Sequence, residues 1–219
     1  MTNKDLPEGI AKNTARIAEL LAARMPHLEF AIWDLSDFLP AFHNVRRTMI
    51  FIECEEIARN EAINTLGKEG LRDYVIYTGE RKPKAINEEW ANARSTEEIR
   101  DAIIIVARKD FRETEKWKGN IHIPWIERRL VDLIAYSVRG WLPISIEEAV
   151  DALTWHLKKG SVRITILQRY ATRRYLGWFL DIILYKLNKK GKAKIVNLDP
   201  RYLEAGERFL SAIGRVDNE

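Results

Sequence analysis

Ile123-Pro-Trp-Ile-Glu-Arg-Arg-Leu-Val-Asp-Leu-Ile134 is where this chain changes character. Upstream of it the apolar residues fall in short runs rich in strand formers; downstream they recur at helical spacing, opened by capping pairs and closed by glycines. Pro124 suits the first turn of a helix, and Ile126, Leu130, Leu133 and Tyr136 form its inward stripe. Gly140 and Pro143 close it. Ser145 and Glu148 then make a capping box, with Ile146, Val150, Leu153 and Leu157 on one face and Gly160 at the end. Thr165 and Gln168 read as a second box, opening a helix through Tyr170. Leu176, Phe179, Leu180, Ile183 and Leu187 carry the next helix to about Asn188, before Gly191. Lys194 to Asn197 reads as a strand, and Asp199-Pro200 opens a last helix with Leu203, Phe209, Leu210 and Ile213 inward.

Working upstream, Ala102 to Ala107 is a continuous apolar run, the pattern of a strand buried on both faces. Asp73 to Thr78, Thr48 to Glu53 and His27 to Trp33 read as three more strands. Glu55 to Lys68 supplies a helix between two of them, ended by Gly67 and Gly70. Pro7 to Arg24, with Ile10, Thr14, Ile17 and Leu21 on one side, is an amphipathic helix; Leu35 to Phe42 is a helical turn capped by Asp34 or Ser36. Phe111 to Asn120 reads as a charged connection, Ile121 to Ile123 as a short extension, Arg81 to Asn92 as a loop, and Ser95 with Glu98 as a capping box. The order predicts an α+β fold: a small mixed sheet with a crossover helix, followed by a helical subdomain. The expected divisions are 1–24 for the first helix, 25–123 for the sheet region and 124–219 for the basic helices, packed as one unit.

Composition bounds the function. With 46% hydrophobic and 31% charged residues the chain is globular rather than disordered. A single cysteine, Cys54, excludes an internal disulfide framework and a cysteine-based zinc site. Cys54 precedes Glu55 and Glu56, whose charges oppose a thiolate, so an inert thiol is expected. The absence of a long apolar run or an apolar leader predicts a cytoplasmic protein with no membrane partner. Few methionines and many mixed charges fit a heat-adapted protein. The net charge of +4 is unevenly spread: from Ala152 to Lys194 eleven cations face one acid, Asp181, giving +10 and leaving −6 for the rest. Such segregation points to an electropositive face for nucleic acid or an acidic protein surface.

Catalytic patterns are sparse. No glycine-rich phosphate loop, Gly-x-Ser-x-Gly or His-Glu-x-x-His occurs, and His27, His43, His122 and His156 are scattered. Asp73 with Glu80-Arg-Lys82 matches the Asp…Glu-x-Lys arrangement of metal-dependent nucleases, with Asp101, Glu53 and Glu55 as alternative carboxylates. Solvated loop and strand-end charges explain the same residues. No cofactor is expected. The basic region reads more sharply. Ser145–Gly160 and Thr165–Arg174 have helix-turn-helix proportions, and Arg169, Arg173 and Arg174 cluster about Tyr170. Exposed, these four suit phosphate contact and base stacking, with Arg163, Lys186, Lys189 and Lys190 adding charge. Alternatively Tyr170 is buried and the arginines pair with Glu147, Glu148 or Asp151.

Three stretches also carry a resemblance. Met25-Pro-His-Leu-Glu-Phe-Ala-Ile-Trp33 resembles the Phe-Pro-x-x-x-Phe-x-x-Trp opening of a family related to abortive-infection AbiEi-type antitoxins. Pro124-Trp-Ile-Glu-Arg-Arg-Leu-Val-Asp-Leu133 is similar to its Pro-x-Leu-Glu-Lys-x-Leu-Val-Asp-Leu, and Arg169-Tyr-Ala-Thr-Arg-Arg174 to its Arg-Tyr-Ala-x-Arg-Arg. The resemblance implies a type IV antitoxin-like, non-enzymatic protein opposing a nucleotidyltransferase toxin. It implies no catalytic residue. Trp33, Pro124, Glu127, Arg128 and Asp132 become framework positions, with Glu127 and Asp132 expected to pair with nearby arginines. Such proteins usually begin with a winged-helix DNA-binding domain; here about 25 residues precede the match, enough for one helix. DNA or RNA binding is therefore expected only from the basic region.

Overall fold

The computed structural model describes residues 7, 9–42, 48–69, 71, 74–78, 101–108 and 110–189. Within them, a six-stranded mixed sheet is covered by helices on both faces. In chain order the elements are α1 (Lys12–Arg24), β1 (Phe30–Asp34), a short 3-10 turn (Leu39–Ala41), β2 (Met49–Cys54), α2 (Glu56–Lys68), β3 (Tyr74–Thr78) and β4 (Asp101–Ala107). They continue with β5 (Thr114–Lys118), β6 (Ile121–Pro124), α3 (Ile126–Val138), α4 (Ile146–Lys159), α5 (Ile164–Arg173) and α6 (Gly177–Lys189). The strand order is β3-β4-β2-β1-β6-β5. β4 runs parallel to both β2 and β3, so α2 is a crossover helix; β1 is antiparallel to β2 and parallel to β6. The fold is α+β, with the carboxyl-terminal part of the described chain helical.

Alternation along the strands explains the two cores. Phe30 and Ile32 of β1, Ile50, Ile52 and Cys54 of β2, and Ile103 and Ile105 of β4 meet Ile17 and Leu21 of α1 and Ala58, Ala62 and Leu66 of α2. Trp33, Met49, Phe51, Ala102 and Ile104 point the other way, into Leu130, Leu133 and Tyr136 of α3, Leu153 of α4, Leu167 of α5 and Leu180 of α6. Being sandwiched on both sides, β1 and β2 are buried at every residue. A ladder of stacked rings runs through the second core: Trp33 on Phe51 at 4.0 Å, Phe51 on Tyr136 at 5.6 Å and Tyr136 on Trp141 at 5.5 Å.

Several expected boundaries shift. Pro124 is the last residue of β6 rather than the first helical residue, and Trp125, in an extended conformation, precedes α3. Phe111 to Asn120 is not a plain connection: β5 lies within it and pairs with β6 around Gly119-Asn120, where Gly119 has φ 52°. Gly67 lies inside α2, which ends at Lys68. α1 starts at Lys12 rather than Pro7, next to the Asp34 carboxylate, which accepts from the Ala11 N–H at 2.8 Å and from the Thr14 hydroxyl. The box on α4 is present, with Ser145 N to Glu148 Oε2 at 2.9 Å and Glu148 N to Ser145 Oγ at 3.1 Å, and Gly160 ends the helix at φ 69°. No described helix is long and apolar enough to cross a membrane. The loop at Arg81–Asn92, the box at Ser95 and Glu98, the strand at Lys194–Asn197 and the helix after Pro200 lie outside the described residues.

Candidate functional site

Eleven consecutive residues of α3, Glu127 to Ser137, are buried, and four of them are charged: Glu127, Arg128, Arg129 and Asp132. Taking such groups out of water costs several kcal/mol each unless a partner and hydrogen bonds compensate. Here each finds one. Arg128 bonds the buried Glu53 of β2 and gives its Nη1 to the carbonyls of Asp110 at 2.9 Å and Arg112 at 2.6 Å. Glu53 also accepts from Trp33 Nε1 at 3.0 Å, so the β1 tryptophan and the α3 guanidinium both donate to the same β2 acid. Arg129 reaches back to the Gly9 carbonyl at 2.6 Å and to Asp37 at 2.9 Å.

Asp132 is the hub. Arg108, the residue after β4, forks onto it, Nη1 to Oδ2 at 2.7 Å and Nη2 to Oδ1 at 3.2 Å. Arg174 donates Nε to Oδ1 at 2.9 Å, and the Tyr170 hydroxyl donates to Oδ2 at 2.9 Å while accepting from Arg108 at 2.6 Å. Burial alone would push the Asp132 carboxyl up; the charges of Arg108 and Arg174 outweigh it and hold the group below its ordinary range. Burial raises the Tyr170 and Tyr136 phenols and is reinforced by the Asp132 charge. Both therefore stay protonated, Tyr170 donating to Asp132 and Tyr136 accepting from Arg108 Nη2 at 3.4 Å.

Of the site residues inferred from sequence, Trp33, Glu127, Arg128, Asp132, Arg163, Arg169, Tyr170, Arg173 and Arg174 belong to these hydrogen bonds and ion pairs. Glu127 is opposed by burial but held low by Arg163, whose backbone N–H and Nε both reach Oε1 at 2.9 Å. That contact replaces the expected Thr165 cap: α5 begins at Ile164 behind Arg163, with no side-chain cap. The Arg163 guanidinium also lies 4.4 Å from the Trp125 ring centre. Arg169 and Arg173 share the Glu113 carboxylate, Arg169 at 3.0 Å. The arginine partners are thus Glu113, Glu127 and Asp132, not Glu147, Glu148 or Asp151. Tyr170 is buried at 4% exposure, so it is not a stacking surface for bases. Helices α4 and α5 each pack on α3 rather than chiefly on one another, which departs from helix-turn-helix packing. Lys186 is exposed on α6; the Lys189 side chain and Lys190 lie outside the described residues.

The nuclease-like set is not assembled in view: Asp73, Glu80 and Lys82 lie outside the described residues. Of its alternative carboxylates, Glu53 is committed as above and Asp101 accepts from the Thr48 N–H at 3.0 Å. Cys54 is buried, and burial more than the flanking acids pushes its thiol up to about 11. His156 is buried with Nδ1 3.0 Å from Ser161 Oγ, and burial holds it below the ordinary histidine value.

Sequence reasoning missed Arg108, Glu113 and Arg112. They fall in or beside the segment read as a charged connection, where nothing in the spacing ties them to α3 or α5. The Gly119-Asn120 pair after Thr-Glu-Lys-Trp-Lys was the available hairpin signal. Above the buried acids lies a cleft of about 420 Å³ lined by Arg108, Arg112, Thr172, Arg173, Arg174 and Tyr175, with Asp110 and Tyr170 completing it. It opens beyond the carboxyl ends of β2 and β4, where ligand sites of parallel strands commonly fall. Neither a family model, nor a curated protein, nor a solved structure matches the chain.

Proposed function

We propose that this chain is a non-enzymatic, antitoxin-like protein that binds a partner protein, a nucleotidyltransferase toxin being the partner the resemblance implies. One observation carries the reading. Trp33, the Glu127–Asp132 segment and the Arg169–Arg174 segment, distant in sequence, meet in one buried ionic frame. That convergence supports treating the three resembling stretches as one framework signature rather than three coincidences. In this reading the frame is structural, and contact falls to what it displays. Tyr175 is 88% exposed and Trp178 52%, and the Arg169 side chain is exposed as well. Tyrosine, tryptophan and arginine are the residues that dominate protein interfaces. The test is affinity capture from native extract after nuclease digestion. Recovery of a nucleotidyltransferase, lost with Trp178→Ala, is expected; recovery of nucleic acid alone before digestion and nothing after it would defeat the reading.

A second reading, nucleic-acid binding through the basic helices, draws support from Lys158, Lys159, Arg163, Arg169 and Lys186, which remain exposed. It would use phosphate contacts without Tyr170 stacking. Steep salt dependence of a DNA or RNA shift would favour it.

A further inference from the structure

The cleft above Asp132 carries more positive charge than its own acids neutralise. Six guanidinium groups (Arg108, Arg112, Arg128, Arg169, Arg173 and Arg174) are bridged to four carboxylates, Glu53, Asp110, Glu113 and Asp132. Their formal sum is +2. The layering matters as much as the sum. Glu53, Glu113 and Asp132 are buried, whereas Arg112, Arg173 and Arg174 lie above them and reach the cleft. Donors are also left over. Arg174 meets Asp132 through Nε alone, so among the described residues its terminal nitrogens have no acceptor. Arg173 gives Nη2 to Glu113 while its buried Nε bonds nothing described. At the rim Tyr175, the residue after Arg174, holds a left-handed φ of 59° with its ring in solvent. That conformation ends α5, with the Tyr175 N–H on the Thr172 carbonyl at 3.1 Å and the Leu176 N–H on the Ala171 carbonyl at 2.8 Å, and it sets Tyr175 at the edge of the cleft.

We propose that this cleft binds the phosphoryl group of a nucleotide, its dianion balancing the excess charge, with the Tyr175 ring stacking on the base. Arginine forks match phosphate oxygens, and an exposed tyrosine suits stacking on any base. A volume of about 420 Å³ is at the small end of ligand pockets, which fits a mononucleotide or the phosphorylated end of a strand. The inference goes beyond the partner reading and does not rest on it.

Calorimetric titration of the full chain tests it, using inorganic phosphate, adenosine, adenosine monophosphate and a short oligonucleotide with and without a terminal phosphate. Adenosine monophosphate is expected to bind more tightly than phosphate, and adenosine not measurably. Binding of the mononucleotide alone would assign a free nucleotide, and binding of the phosphorylated oligonucleotide alone a strand end. Arg112→Gln should weaken every phosphorylated ligand about tenfold, the effect of one charge-assisted hydrogen bond. Tyr175→Asn, which tolerates the left-handed backbone, should weaken adenosine monophosphate but not inorganic phosphate. Both sites are solvent-facing, so unchanged melting should accompany the losses, and Arg24→Gln on the opposite helical layer should change nothing. No binding of any phosphorylated ligand, or binding indifferent to both Arg112→Gln and Tyr175→Asn, would overturn the proposal. Capture of a toxin by such a phosphate-blind protein would leave the partner reading standing.

Discussion

Arg108 and Asp132 face each other across the sheet–helix boundary as a two-pronged pair, with contacts of 2.7 and 3.2 Å. One residue directly follows a parallel strand and the other lies on the second turn of α3, so the pair fixes the helix to the carboxyl edge of the sheet. Arg174 and Tyr170 then tie α5 to the same carboxylate. Loss of Asp132 should therefore loosen three elements at once.

Arg128 and Glu53 are expected to be coupled in the same way. Arg128→Met or Glu53→Gln alone strands a buried partner and should cost about 3–5 kcal/mol. The double variant should cost less than the sum of the singles. Urea midpoints for the four proteins of this cycle provide the check; strict additivity would mean the two side chains do not interact.

Stability should fall with acid in two stages. His156 is held below its ordinary 6.5 by burial, although Asp37 pulls it the other way. It is neutral when folded, so its contribution is complete above pH 6.5 and is lost as pH falls toward its lowered folded value. Asp132 and Glu127 are lowered from 3.8 and 4.5, so their contributions are complete above those values and are lost as pH falls through the folded ones. Unfolding midpoints measured from pH 8 to pH 3 should decline first in the histidine range, and His156→Gln should flatten that first decline only.

Cys54 should resist modification. Its thiol is buried and pushed up to about 11, so at neutral pH little thiolate forms and little is accessible. Reaction with a thiol reagent should proceed at the rate of unfolding. Fast labelling of native protein would place the thiol elsewhere.

Much of this arrangement was legible in the sequence, for reasons that differ by element. The α4 cap was readable because Ser145 and Glu148 are local and satisfy each other. β4 was readable because burial on both faces removes polar residues from Ile103 to Ile105. The start of α5 was not, because Arg163 is held by Glu127, thirty-six positions away, rather than by a neighbour. The Glu127 and Asp132 pairs with arginine were anticipated, whereas the identity of Arg108 as the second arm on Asp132 was not. Local chemistry announces caps and faces. A buried ion pair is specified by the register of a sheet, and Arg108 reaches Asp132 only because β4 lies beside β2.

The display surface and the frame should separate under mutation. Trp178→Ala and Tyr175→Asn alter side chains that face solvent and make none of the frame's ion pairs, so each should shift stability by about 1 kcal/mol or less while weakening partner capture. Equal loss of stability and capture in these variants would place them in the frame instead.

Chemical unfolding of Asp132→Asn is the most direct measurement. If the buried carboxylate organises the sheet edge, α3 and α5, the variant should lose about 3–5 kcal/mol and release the Arg108, Tyr170 and Arg174 contacts together. A variant as stable as the parent that nonetheless fails to capture its partner would contradict that, and would make Asp132 a contact or reactive group rather than the keystone of the fold.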